Sequence, residues 1–376
     1  MKTISLLHPF SAKAIGLREN DLLFSHSKPH EKVLLKLQEE GYEVSIDYFT
    51  DNFFPFTKNI KGIAKRFWPI TKPLIKKRHA WRKQQSLFHY WSVYFKTPDV
   101  TIINMSGHGS PYCFKLAKML VKKDKPYIAM IGGVHMSTHQ QAAEYYQEAD
   151  HVIVHTKIQQ KQLQEIPFFN KLSIRVMPLG IDTAIFSPKP KLNNTIELLF
   201  VGRISRLKQI ELAIKTLAFL LENQEKTVSL TIIGPISDTA YFSELKALVH
   251  QLKVEEHVNF SETVKQEQLV PYYQKANLLV LPSAHESFGM VLVEAMACGT
   301  PVAALKGAGG PDEIIEDNTN GILTTKKLFA ERILQYVQSS ESQRQLEKNA
   351  RLVVEKKWSL VQTEQALRAS INQVFS

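Results

Sequence analysis

Four charged side chains in the second half of the chain have types and spacings suited to holding a phosphorylated ligand: Arg203, Lys208, Glu286 and Glu294. Arg203 and Lys208 follow an apolar run, 198–201, that ends at Gly202. A guanidinium and an ammonium five residues apart can clamp a diphosphate and neutralise the charge that builds on it as it leaves. Glu286 precedes a helical stretch expected to start near 287–289 and to stop before Gly299. The free amides at such a helix start suit a pyrophosphate, and a carboxylate near a nucleotide can accept two ribose hydroxyls. A third turn, 307–313, holds Gly307, Gly309 and Gly310 and can offer main-chain N–H groups to an anion or a sugar. Taken singly, each feature also describes an ordinary surface: solvated glutamates, loop cations, a common glycine turn.

Short apolar runs alternate with amphipathic stretches and must position these groups. Strands are expected at 4–7, 44–48, 100–104, 127–131, 152–155 and 174–178, and again at 198–201, 230–233, 258–260, 278–281 and 301–304. Helices are expected at 31–40, 112–122, 207–221 and 241–252, with three more at 330–338, 341–356 and 360–374. Apolar strands separated by helices imply parallel sheets covered on both faces. The pattern occurs twice, so the fold class is α/β with two Rossmann-like doubly wound domains, their seam in the Pro- and Asn-rich stretch 186–194. Ligands of such sheets sit beyond the carboxyl ends of the strands, so two domains facing each other would share a cleft.

A chain of 376 residues is long enough for two domains. Its 44% apolar and 22% charged content is globular. No apolar run reaches the ~20 residues of a membrane span. The first residues read as a strand, not a signal peptide. Two distant cysteines, Cys113 and Cys298, make no disulfide framework and fit a reducing cytoplasm. Residues 1–190 hold 27 Lys/Arg against 15 Asp/Glu, a charge of +12, whereas the remainder holds 20 against 21. An anionic partner for the first half follows from that asymmetry.

The pieces Gly202-Arg203 with Lys208, Ile233-Gly234-Pro235, Pro282-Ser283 before Glu286, Phe288-Gly289, Glu294-Ala295-Met296-Ala297, Gly299-Thr300-Pro301-Val302, Gly309-Gly310 and Asn320-Gly321 stand in one order over residues 198–323. Together they resemble the retaining glycosyltransferases of family 4, which have the GT-B fold; the two glutamates with seven residues between them are that family's signature. The resemblance implies a metal-independent hexosyltransferase with no cofactor, using a UDP- or GDP-type sugar as substrate. It implies that Arg203 and Lys208 bind the diphosphate, Glu286 the donor sugar and Glu294 the ribose. Phe288, Gly289 and Met290 would lie against the phosphates, and Gly309 and Gly310 near the sugar. Gly202 and Gly234 close the strand-end turns of the donor site. In the first half the likeness is thinner: Gly16 stands where relatives approach the donor phosphate, and His135 where they touch the donor sugar. The implied domains are an acceptor-side 1–186, a donor domain 187–358 and a last helix, 359–376, crossing back to the first domain. The choice of base would rest on main chain around 262–264.

Residues 58–83 hold ten Lys/Arg and no acid, interleaved with aromatics. Within an insertion spanning about 53–95, Lys65, Arg66, Trp68, Lys76, Lys77, Arg78 and Trp81 have the types that sit among anionic headgroups. Aromatics packed into the core, or a polyanionic acceptor, account for the same composition. No nucleic-acid motif accompanies it. The expected role is therefore transfer to a lipid-linked or cell-envelope glycan in polysaccharide biosynthesis, in the cytoplasm and peripheral on the membrane's inner face. The rivals are another GT-B enzyme, an epimerase or phosphorylase, and a non-catalytic carbohydrate- or surface-binding protein.

Overall fold

The computed structural model describes residues 1–24, 28–71, 83–105, 107, 109–132, 136–190 and 195–375. The chain divides into two compact units, Met1–Pro178 with Thr363–Ser376, and Leu179–Gln362.

The first unit is built on an eight-stranded sheet. Its strands are β1 (Thr3–Ser11), β2 (Glu43–Thr50), β3 (Phe56–Ile60), β4 (Ile63–Pro69), β5 (Val100–Met105), β6 (Tyr127–Ile131), β7 (His151–Val154) and β8 (Ile174–Val176). The order is β3-β4-β2-β1-β5-β6-β7-β8, parallel except for β3 against β4. Every residue of β6 and β7 is buried, which is why these strands read as unbroken apolar runs.

The hairpin β3–β4 corrects the insertion reading of 53–95: two of its strands belong to the sheet, and Leu87–Phe95 is a helix. Lys61 and Gly62 form its two-residue turn, both at positive φ (53° and 95°), the backbone a type I′ hairpin requires. Phe56 stacks on Phe67 at 4.6 Å across the pair. The strand was hidden because Lys65 occupies one of its inward positions.

That placement also corrects the membrane role expected of three residues. Lys65 is fully buried; its ammonium pairs with Glu31 at 2.6 Å and donates to the carbonyls of Leu22 and Leu23. Arg66 forks onto both carboxylate oxygens of buried Asp47 at 2.7 Å, and Trp68 Nε1 donates to Asp47 at 2.7 Å. All three are tied into the domain, because charges entering a low-dielectric interior must be paired to stay there. Lys76, Lys77, Arg78 and Trp81 lie outside the described residues.

Asp47 also accepts from Ser5 at 2.5 Å, with His89 4.0 Å away. Burial alone would raise the Asp47 carboxyl, but the Arg66 charge and hydrogen bonds outweigh it and hold it at about 2. Burial lowers His89 to about 4 against the pull of Asp47. Both folded values lie below their ordinary 3.8 and 6.5, so the unfolded chain takes up protons first as pH falls. Stability is therefore expected to drop by roughly 3 kcal/mol between pH 6.5 and 4 from His89, at about 1.4 kcal/mol per pKa unit, with further loss between 3.8 and 2 from Asp47. Urea melts across this range check it; a His89→Phe variant should flatten the upper part of the profile, and an unchanged slope would refute the His89 contribution.

The second unit has six parallel strands, β9 (Ile196–Val201), β10 (Val228–Ile233), β11 (Val258–Ser261), β12 (Leu278–Leu281), β13 (Val302–Leu305) and β14 (Ile322–Thr324). The order β11-β10-β9-β12-β13-β14 reverses direction at β9, the switch point of a doubly wound sheet. The unit begins eight residues ahead of the expected 186/187 seam. Phe186 is buried beside Tyr273, and Arg351 donates to the carbonyls of Phe186, Thr183 and Ala297, so the stretch after Leu179 is held to this unit's core. At the far end the division falls four residues beyond 358/359. Glu364 pairs with Lys36, Arg368 with Glu40, and Thr363 Oγ1 donates to Pro178 O at 2.8 Å, all within the first unit.

Candidate functional site

The carboxyl ends of β9, β10, β12 and β13 carry the residues singled out above. After β9 the chain turns at Gly202 and passes Arg203 to a single 3-10 turn, Arg206–Lys208. This loop is zipped to the one after β10. Gly202 N–H donates to Ile233 O and Ile204 N–H to Pro235 O, each at 2.9 Å. A Cβ on Gly234 would lie 2.0 Å from Gly202 O, so only glycine allows the two loops to touch.

After β12 the chain reaches Glu286 through Ser283, then enters the helix Met290–Ala297 from Gly289, whose φ is 101°. The loop after β13 bridges to it on both sides of Glu286. Glu286 N–H donates to Ala308 O at 2.7 Å, and Gly310 N–H donates to Glu286 O at 2.8 Å. A Cβ at Gly309 would stand 2.7 Å from Glu286 O, and one at Gly310 2.0 Å from Phe288 O. Gly309 and Gly310 thus act as supports that fix where the Glu286 carboxylate starts.

Lys208 Nζ pairs with Glu286 Oε1, joining the two loops, and Ala284 N–H donates to Leu207 O at 2.9 Å beside it. Their side chains keep 16% and 12% of their exposure, enough to meet a ligand and little enough for the charges to be felt strongly. Arg203 is exposed and, among the described residues, has no hydrogen bond or ion pair, so its guanidinium is available at the end of β9. Neighbouring Arg206 is spent on Glu244 and Asp238.

Glu294 lies further along the helix, buried, and accepts from Gln266 Nε2 and from the Tyr273 hydroxyl, each at 2.6 Å. Burial, with the Glu294 charge beside it, pushes the Tyr273 hydroxyl well up, so Tyr273 stays a donor. Neither Gln266 nor Tyr273 was singled out from sequence; one-sided polarity in a short amphipathic stretch gives no such signal. Phe288 needs a correction: the residue is 3% exposed and its ring meets Trp358 edge-on at 5.3 Å, so the side chain packs into the core and does not lie against a ligand. Met290 is half-buried at the helix start.

An open cavity of about 490 Å³ adjoins this site. Gly234, Pro235 and Ile236 form one wall, and Phe260, Glu262 and Thr263 another. Of the residues expected in the first unit, Gly16 closes the 3-10 turn after β1 at φ 75°, with nothing within 4 Å of where a Cβ would be. It is required there by backbone conformation. His135 lies outside the described residues. Among the described residues no three His, Cys, Asp or Glu form a metal-binding group.

Residues 182–353 match the family described as glycosyl transferases group 1. The match spans most of the second unit, called the group 1 unit below, and just under half of the chain. The chain is 34% identical over 190 residues to the D-inositol 3-phosphate glycosyltransferase of Nocardiopsis dassonvillei, covering 47% of this chain and 44% of that protein. It is 33% identical over 195 residues to the enzyme of the same name from Acidothermus cellulolyticus, with 48% and 43% covered. The matched stretch thus spans under half the length of these relatives. Likeness of fold extends further. Sucrose-phosphate synthase from Thermosynechococcus elongatus superposes with a TM-score of 0.75 at 19% identity, over 100% of this chain and 99% of that one. Anabaena HepE in complex with UDP gives 0.74 at 18%, over 99% and 100%. The two doubly wound units therefore have the fold class expected, that of GT-B glycosyltransferases.

Proposed function

We propose that the chain is a retaining glycosyltransferase of family 4, a hexosyltransferase whose group 1 unit holds a UDP- or GDP-sugar and whose first unit takes the acceptor. The observation that carries the reading is the Lys208–Glu286 pair, held between two glycine-supported loops beside the start of helix Met290–Ala297. An arriving diphosphate would draw Lys208 off Glu286 and meet Arg203, leaving the Glu286 carboxylate to accept hydroxyls of the sugar. Glu294, oriented by Tyr273 and Gln266, would take the ribose, and the neighbouring cavity the base. Gly16 and His135 keep their proposed places at the donor phosphate and donor sugar.

In the step so arranged, the bond between the anomeric carbon and the phosphate oxygen breaks and the electron pair leaves with the diphosphate. The acceptor oxygen bonds to that carbon from the same face, and its proton passes to the leaving phosphate. Arg203, Lys208 and the helix amides supply the positive field without a metal. The HepE structures named as complexes with UDP and with UDP-glucose, and the glycosyltransferase names of the relatives, support this class of donor. A lipid-linked or cell-envelope glycan as acceptor, and work in the cytoplasm, remain part of the proposal. Among the described residues no helix is long and apolar enough to cross a membrane.

Ligand-observed NMR of the full chain against a panel of UDP- and GDP-sugars tests the donor. One nucleotide sugar should show saturation transfer that Arg203→Ala weakens at least about tenfold, the loss of one charge-assisted contact. No binding anywhere in the panel, or inversion of the anomeric centre in the product, would overturn the reading.

A further inference from the structure

Of the residues expected at a membrane surface, Lys65 is buried and Arg66 and Trp68 are tied to Asp47, while another surface of the first unit carries the right chemistry. Helix Leu87–Phe95 contains no charged residue and is apolar on two sides. His89 and Val93 are buried beneath it. Phe88, Trp91 and Phe95, at i, i+3 and i+7 on the outer side, keep 51%, 50% and 80% of their exposure. Trp91 stacks on Phe95 at 5.9 Å, so the stripe is continuous. A stripe of this kind meets a partner or a lipid more often than water.

The second observation is charge. Helix Pro111–Lys122 lies alongside and presents Lys115, Lys118 and Lys122 as a stripe of its own. Lys115 sits over the Tyr90 ring at 4.6 Å and Lys123 over Tyr94 at 4.2 Å, which joins the basic row to the aromatic one. Between the rows runs an open groove of about 680 Å³. Lys118 is partnered by Glu144, but among the described residues no carboxylate pairs with Lys115, Lys122 or Lys123. Aromatic rings beside lysines match the boundary of an anionic bilayer, where rings enter the headgroup region and ammonium groups meet lipid phosphates.

We infer that this face, helix Leu87–Phe95 with the lysines of helix Pro111–Lys122, docks the protein on an anionic lipid surface. It gives a site to the membrane partner expected of the first half, and it does not depend on the donor chemistry. The face belongs to the first unit and shares no residue with the candidate donor site, so the two can be tested separately.

The test is co-sedimentation of the full chain with phosphatidylcholine vesicles and with vesicles containing one third phosphatidylglycerol. Binding should appear only with the anionic vesicles and should fade as salt is raised from about 0.1 to 0.5 M, as screening shortens. Lys115→Glu/Lys122→Glu should weaken partitioning at least about 20-fold, at roughly fivefold per lysine. Trp91→Ser/Phe95→Ser should weaken it as well, with far-UV circular dichroism and nucleotide-sugar binding unchanged. The inference is overturned if anionic vesicles do not bind at low salt, or if both variants bind as the parent does. It is equally overturned if Trp91→Ser/Phe95→Ser abolishes a dimer seen in sedimentation velocity while vesicles remain unbound. Loss of donor binding in the parent protein would instead tell against the glycosyltransferase reading.

Discussion

Replacing Lys208 by alanine is expected to lower turnover by about 10²–10³-fold, the range found when one preorganised charge stabiliser is removed from a developing anion. The pairing with Glu286 makes the expectation sharper. Without the ammonium, a mostly buried carboxylate faces an incoming diphosphate with nothing between them, so donor affinity should fall along with turnover. Removing that charge as well, in Lys208→Ala/Glu286→Gln, should recover part of the affinity but none of the rate, since the two groups share one interaction and their losses do not add. Donor titration and single-turnover rates of the two variants decide the matter, with thermal melts to confirm that folding is intact. Equal donor affinity in the single and double variants would show that Lys208 and Glu286 act separately, and unchanged turnover in Lys208→Ala would remove the diphosphate assignment.

Glu31→Ala is expected to cost about 3–5 kcal/mol of stability, the usual penalty for leaving a buried charge without its partner. Lys65 is wholly enclosed in β4, and its other contacts, the carbonyls of Leu22 and Leu23, cannot replace a carboxylate. Lys65→Met with Glu31→Leu should be far milder, because a volume-conserving apolar pair needs no compensation. Vesicle binding should be the same in parent and double variant, since Lys65 reaches no surface. Denaturant melts measure the first effect and co-sedimentation the second; a Glu31→Ala loss below about 1 kcal/mol, the level of an exposed pair, would show that the charge is solvated after all.

Much of the fold was legible because burial on both faces writes itself as apolar runs. Tyr127–Ile131 and Leu278–Leu281 were located to the residue for that reason. The strands that escaped notice were those whose pattern is broken, exposed or short: β4, with a lysine at an inward position, β3, with no buried residue, and β14, with three residues. The helices 140–147 and 157–164 escaped because their glutamines and lysines weaken the periodic apolar signal.

For the candidate site, the sequence by itself determined which chemistry was on offer. Arg203, Lys208, Glu286 and the glycines follow strand ends and Glu294 stands on the next helix, with glycine at the positions where the turns need it. Only the tertiary structure decided which groups meet. It pairs Lys208 with Glu286 across 78 residues, gives Glu294 to Tyr273 and Gln266, and turns the Phe288 ring into the core. It also exchanged one basic aromatic segment for another, burying Lys65 and tying Arg66 and Trp68 to Asp47 while leaving Trp91 and Phe95 outside. The reason is that composition reports how much charge and apolar surface a segment carries. Which side faces the core depends on strands and helices far away in the chain, and no local pattern contains that information.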